Sequence, residues 1–198
     1  MGLAPRVIVG FLAGLLLWHT GTPAYNRLLI AASEPVLRLT ERPAATRLYA
    51  EERRIVVDRA DFASKSERPS LPGDDLTLNV ILLLALSATR RRLLRDRGVL
   101  HLLAALGALG VTHVAAVVVA VKALYATQLG SWSAAHYGVV SRNLWVGAAH
   151  FYRVAGCWAV AFVLWWAFVR PGVSAASPPG RPGRRRGPRR ASRPRERG

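Results

Sequence analysis

The stretch VLHLLAALGALGVTHVAAVVVAV, Val99 to Val121, carries no Asp, Glu, Lys or Arg and is interrupted only by His101, Thr112 and His113. As a helix its 23 residues would reach ~35 Å, enough to cross the ~30 Å hydrocarbon core of a bilayer. Working outward, Val7 to Tyr25 is a second such run, broken by His19 and Thr20. Leu144 to Val169 is a third, and its strictly uncharged part, Val154 to Val169, follows Arg153. Leu76 to Thr89 (LTLNVILLLALSAT) is shorter, 14 residues or ~21 Å as helix. Composition agrees with a membrane reading. A chain of 198 residues that is 52% hydrophobic and still carries a net charge of +17 must keep its charges apart from its apolar runs. One cysteine excludes a disulfide framework within the chain and any Cys-cluster metal or iron–sulfur site.

The distribution of positive charge tests the number of crossings. With four spans and a cytoplasmic N-terminus, the inside segments hold Arg6, Arg90, Arg91, Arg92, Arg95, Arg97 and ten arginines from Arg170 to Arg197, against only Asp96 and Glu196. The outside stretch from Pro23 to Asp75 has nine basic and nine acidic residues and is neutral. Removing the second span would send the arginine tail outward, against the positive-inside rule. The expectation is therefore an all-α membrane protein with four transmembrane helices and both termini cytoplasmic. Its divisions are 1–31 (first helix and interfacial extension), 32–75 (extracytoplasmic), 76–169 (three-helix transmembrane region) and 170–198 (basic tail). Arg6, the first apolar run and Thr22-Pro23-Ala24 also resemble a signal peptide with a small-residue cleavage site. Continuation of the run through Leu28, Leu29 and Ile30 favours a retained helix.

Between the first two spans, Tyr25, Leu28, Leu29, Ala32, Val36 and Leu39 recur at helical spacing, which predicts an amphipathic helix lying along the outer surface and bent at Pro35. The β-branched centre of Glu51 to Phe62 predicts a short strand or hairpin, and Ser64 to Asp75 a loop, with Asp74 or Asp75 capping the next helix. The Arg/Pro/Gly-rich tail after Arg170 lacks apolar periodicity and is expected to be disordered. Its arginines suit anionic lipid. Nucleic acid is the weaker partner, because no aromatic residue stands among them to stack on bases.

Ionisable groups within membrane spans are functional candidates because burying them is costly. His113 in the third span, and His150, Arg153 and Cys157 in the fourth, form such a polar set; the last three share one helix face by their spacing of three and four. Antiparallel neighbours would bring His113 and Arg153 to a similar depth. One reading is a membrane thiol transpeptidase or protease, with Cys157 as nucleophile, Arg153 lowering its pKa and a histidine as base. The simpler reading places Arg153 at the interface and Cys157 in packing. The spans hold no acidic residue to orient a base, and no pair of histidines has metal-ligand spacing, so no catalytic, cofactor or metal site is assigned. A solute channel or carrier is a third reading, but internal repeats are absent. Gly107 and Gly110, with Ala104, Ala105 and Ala108, offer small-residue surfaces for close helix packing. Trp18, Trp132, Trp145 and Tyr25, Tyr125, Tyr137, Tyr152 suit an outer aromatic belt, and Trp165, Trp166 and Phe168 an inner one.

The layout from about Phe11 to Val169 resembles the exosortase H-associated membrane proteins: a first span, Tyr25-Asn26-Arg27-Leu28-Leu29, an external strand, Leu76-Thr77-Leu78-Asn79 opening a leucine-rich span, then two further spans. The resemblance implies a bacterial inner-membrane accessory of a system that processes C-terminal sorting signals, with an exosortase as membrane partner. It does not imply the peptidase itself, whose reactive cysteine is expected early with basic partners downstream. Here His150 and Arg153 precede Cys157.

Overall fold

The computed structural model describes residues 2–41, 46–59, 68–90, 93 and 98–169. Helix α1 (Leu3–Leu39) is followed by strands β1 (Thr46–Glu51), β2 (Arg54–Arg59) and β3 (Ser70–Pro72), and then by helices α2 (Gly73–Thr77) and α3 (Asn79–Ser87). Next come α4 (Gly98–Thr127), α5 (Ser131–His136), α6 (Val139–Phe151) and α7 (Cys157–Leu164). Residues Tyr152–Gly156 and Trp165–Val169 are π-helical turns, so Val139–Val169 is one continuous 31-residue helix. Three helices are long and apolar enough to cross a membrane: Leu3–Leu39, Gly98–Thr127 and Val139–Val169. Their surfaces carry exposed apolar side chains such as Leu16, Leu103, Val111, Phe162 and Val163, as lipid-facing surfaces do.

The second apolar run behaves differently from the other three. Only 73–77 and 79–87 are helical, with a turn at Leu78, which is too short for a standard crossing. The pair nevertheless descends beside α1. A β-carbon on Gly73 would meet Asn26 Nδ2 at 2.8 Å, one on Gly14 would meet Ile81 Cα at 3.2 Å, and one on Gly10 would meet Ala88 Cβ at 2.5 Å. Gly10 and Gly14 thus form a small-xxx-small stripe that lets two backbones approach. Close packing falls here rather than on the α4 glycines: a β-carbon on Gly107 meets nothing within 4 Å, and one on Gly110 only the Tyr25 hydroxyl at 3.8 Å. At the far end, Arg90 donates to His101 Nδ1 (3.2 Å) and the Val169 carbonyl (3.3 Å), joining the end of α3, the start of α4 and the end of the last helix.

Residues 25–39 do not lie along a surface as a separate element. They continue α1 as helix through both Pro23 and Pro35, and serve as the spine for a three-stranded antiparallel sheet of order β1-β2-β3. Of the expected strand or hairpin, the structure has the hairpin, joined by Glu52 and Arg53, with Thr46↔Arg59 and Glu51↔Arg54 as the end pairs. Part of the expected loop is β3 and α2. Neither Asp74 nor Asp75 caps α2: both stand in its first turn, and Asp74 binds Arg53 at 3.0 Å. The buried face of the sheet (Leu48, Ile55, Val57, Leu71) packs on Leu29 and Leu37 of α1 and on Val117, Val121, Leu124 and Tyr125 of α4. A second core, Leu83, Ala105, Leu109, Ala161 and Val169, fills the bundle itself. The basic tail 170–198, expected to be disordered, lies outside the described residues, as do residues 60–67.

Candidate functional site

Asn79 and His113 are polar residues in otherwise apolar runs, and both are buried because they meet each other. His113 Nε2 lies 2.7 Å from Asn79 Oδ1, a carbonyl oxygen that can only accept. The ring proton is therefore on Nε2, and Nδ1 of the neutral ring accepts from the Tyr25 hydroxyl at 2.7 Å. Asn79 Nδ2 in turn donates to the Cys157 carbonyl at 3.0 Å. One directional chain of hydrogen bonds, Tyr25 to His113 to Asn79 to Cys157, ties α1, α4, α3 and α7 together. Tyr152 adds a bond from its hydroxyl to the Leu76 carbonyl at 3.1 Å. Beside Tyr25 lies an apolar cavity of about 350 Å³ lined by Leu17, Trp18, Thr22, Val80 and Leu109.

Of the four residues singled out by sequence, His113 and Cys157 are buried within this chain, but only the Cys157 carbonyl joins it. The Cys157 thiol turns to the Arg153 carbonyl at 3.6 Å. His150 and Arg153 are exposed and line a separate groove between α4 and α6, with Gln128, Ala123 and Leu124. The thiol–histidine–arginine constellation is thus divided between two places. Among the described residues, no group of three or more His, Cys, Asp or Glu side chains is placed to hold a metal ion.

Sequence reasoning overlooked the ion cluster that fastens the sheet. The Glu41 carboxylate lies 3.5 Å from Arg59 Nη1 and 3.6 Å from Lys122 Nζ, with all three side chains under 10% exposed. Thr46 donates its hydroxyl to Glu41 at 2.6 Å and stands 2.7 Å from the Tyr125 hydroxyl. The Arg59 guanidinium also sits over the rings of Tyr125 and Trp132 at 5.3 and 5.1 Å. Burial and the negative charge of Glu41 raise the nearby Tyr137 phenol above its ordinary pKa. Tyr125 is consequently a core residue of the sheet end, with Trp132 packed half-buried against it.

A second device closes the outer edge of β1. Glu34 Oε2 accepts from the Leu48 amide at 3.0 Å, Glu41 Oε2 from the Thr46 amide at 3.3 Å, and Arg38 donates to the Thr46 carbonyl at 3.2 Å. Glu34 and Arg38 stand one turn apart on α1, and Glu41 follows just beyond its C-terminal end. They occupy backbone groups that would otherwise recruit another strand. The signal was present in the sequence as Glu34 and Arg38 four apart on a helix with Glu41 close after them, but only the position of β1 gives it meaning. At the hairpin tip, Arg53 donates to His19 Nδ1 (3.0 Å) and stacks over Trp18 (4.9 Å). The sheet is held to α1 at both ends.

No family model, curated protein or solved structure matches the chain in comparisons with known proteins.

Proposed function

We propose that this chain is a non-enzymatic integral membrane accessory protein that presents a small sheet to a membrane-protein partner at the outer face of a bacterial inner membrane. The observation that carries this reading is the rigid attachment of the sheet. Its inner face is buried on α1 and α4, its β1 edge is closed by Glu34 and Arg38 of α1 and by Glu41, and Arg47, Tyr49 and Glu51 stand exposed on the outer side of β1. A scaffold of this kind suits recognition, since little ordering entropy is left to lose on binding. The internal polar groups fit the same reading: Asn79 and His113 bond to each other, to Tyr25 and to backbone, as structural glue between helices.

In this proposal α2 and α3 form the fourth crossing. Fifteen residues give ~22 Å of helix, and local bilayer thinning accommodates the shortfall at modest cost. The course of α3 beside α1, with its end level with Gly10, supports the assignment. The termini and arginine-rich segments then face the cytoplasm and the sheet faces out. Membership in an exosortase-type sorting system is the partner identity we propose, resting on the layout resemblance alone.

The test is co-purification from gently solubilised membranes. Deleting Arg53 to Phe62 would remove the central strand and the fold with it, so the exposed face of β1 is altered instead. Arg47→Glu with Tyr49→Ala is expected to lose a specific membrane partner while inserting normally, and Cys157→Ser to keep it. A thioester trapped on unmodified protein and absent from Cys157→Ser would overturn the reading in favour of an enzyme.

A further inference from the structure

The groove of about 250 Å³ between α4 and α6 is built from two matching helix faces. Ala120, Ala123 and Thr127 stand at spacings of three and four on α4, and Val146, Ala149 and Arg153 repeat that spacing on the last helix. Each face spans ~10 Å along its axis, about two turns. Leu71 of β3 adds a third wall, so one end of the groove reaches the sheet. Arg153 marks the other end. One turn beyond it, the Cys157 carbonyl joins the Asn79–His113 chain within the bundle, whereas Val146 and Ala149 lie on the sheet side. The last helix is polar in this part: Ser141, Arg142, Asn143 and His150 all precede Arg153. In the membrane reading the groove therefore opens to water at the outer face, and whatever enters it comes from that side.

The charge of the groove is one-sided. Residues 98–169 contain no Asp or Glu, and the carboxylates of the sheet end are engaged elsewhere, Glu41 with Arg59 and Lys122 and Asp74 with Arg53. Arg153 and His150 are exposed, and among the described residues neither side chain has an ion pair or a side-chain partner. Arg153 also belongs to the π-helical turn Tyr152–Gly156, a departure from α-helical geometry that recurs at functional sites. A guanidinium at the foot of an alanine-walled cleft is complementary to a carboxylate carried beside an apolar group, since its planar fork pairs with both oxygens. At the rim, Gln128 carries donor and acceptor in one planar amide, the pattern that pairs with a peptide unit. Cation, apolar walls and amide rim together describe the complement of an acidic peptide.

We propose that the α4–α6 groove is a docking site for a short acidic segment of an extracytoplasmic partner, with a side-chain carboxylate on Arg153 and His150 and the flanking apolar side chain between Ala123 and Ala149. The proposal rests on the accessory reading above and adds a second contact to the β1 face. The probes are two capped peptides, acetyl-Ala-Leu-Glu-Leu-Ala-amide and its Gln counterpart. Each is titrated into the detergent-purified full chain, with isotope-labelled arginine, alanine and valine followed by NMR. The Glu peptide is expected to shift the Arg153, Val146 and Ala149 signals saturably and to bind about tenfold more tightly than the Gln peptide, the gain of one charge-assisted pair. Arg153→Gln should erase that preference and Arg153→Lys should recover part of it. Arg142→Gln, at an exposed α6 position outside the groove, should match the wild type. Equal affinity for the two peptides, no saturable shift, or a preference kept by a folded Arg153→Gln would overturn the proposal. Shifts at Arg47 of β1 without shifts in the groove would also overturn it and leave the accessory reading standing. That reading fails on a different result, the thioester trapped at Cys157.

Discussion

At the scale of single residues, His113 is the pivot. Buried in an apolar helix, it is tolerable only because Tyr25 supplies a donor to one ring nitrogen and Asn79 an acceptor to the other. Each such bond between membrane helices is worth about 0.6 kcal/mol on average and up to about 1.7. Tyr25→Phe and Asn79→Leu should each lower unfolding stability in detergent by about 1 kcal/mol. Because both act through one imidazole, the double variant should depart from additivity by about 0.5 kcal/mol or more. Strict additivity would show that the chain is not a coupled unit. The sequence marked His113 and held Asn79 at the start of the leucine-rich run, yet could not join them. Spacing along a helix gives the face of a residue but not the neighbour across the bundle. It paired His113 with Arg153 by depth, whereas the groove at Arg153 belongs to another face of α4.

At the scale of elements, the α1–α3 seam and the docking of the sheet are the two structural commitments. A side chain at Gly10 must displace Ala88 or the Leu84 carbonyl, so Gly10→Val should cost about 1–3 kcal/mol in thermal unfolding, the usual penalty of overpacking. The same change at Gly107, where a β-carbon meets nothing, should cost far less. The sheet depends on one carboxylate shared by two cations. Glu41→Gln leaves Arg59 and Lys122 buried without an anion and should destabilise by about 3–5 kcal/mol, seen first as faster amide exchange in β1 and β2. Lys122→Met removes the surplus cation, leaves Glu41 and Arg59 paired, and should have a clearly smaller effect. Equal losses from the two variants would argue against the cluster as an ionic clamp. These features were only partly legible. The apolar runs, the turn-forming Pro and Gly and the β-branched Ile55-Val56-Val57 declared helices and a strand, since those signals are local. Extension of α1 through two prolines was not, because tertiary packing against the sheet overrides the missing donors.

At the scale of the whole molecule, charge and hydropathy alone separated apolar runs from basic segments. The structure adds that the small sheet stands at one end of the helices. There α1 and α4 carry the sheet, while Arg90 gathers α3, α4 and Val169 at the other. Function was the least legible layer, because the recognition surface proposed above consists of ordinary exposed side chains, Arg47, Tyr49 and Glu51, with no motif chemistry to announce it. The most direct measurement is sidedness in intact cells. In a Cys157→Ser background, single cysteines at Tyr49 on the sheet and at Ser192 in the tail are treated with a membrane-impermeant maleimide. Labelling of Tyr49→Cys from outside, with Ser192→Cys labelled only after permeabilisation, is the predicted result. Labelling of both positions from the same side would mean that α2 and α3 do not cross, and would contradict a scaffold that presents its sheet opposite its termini.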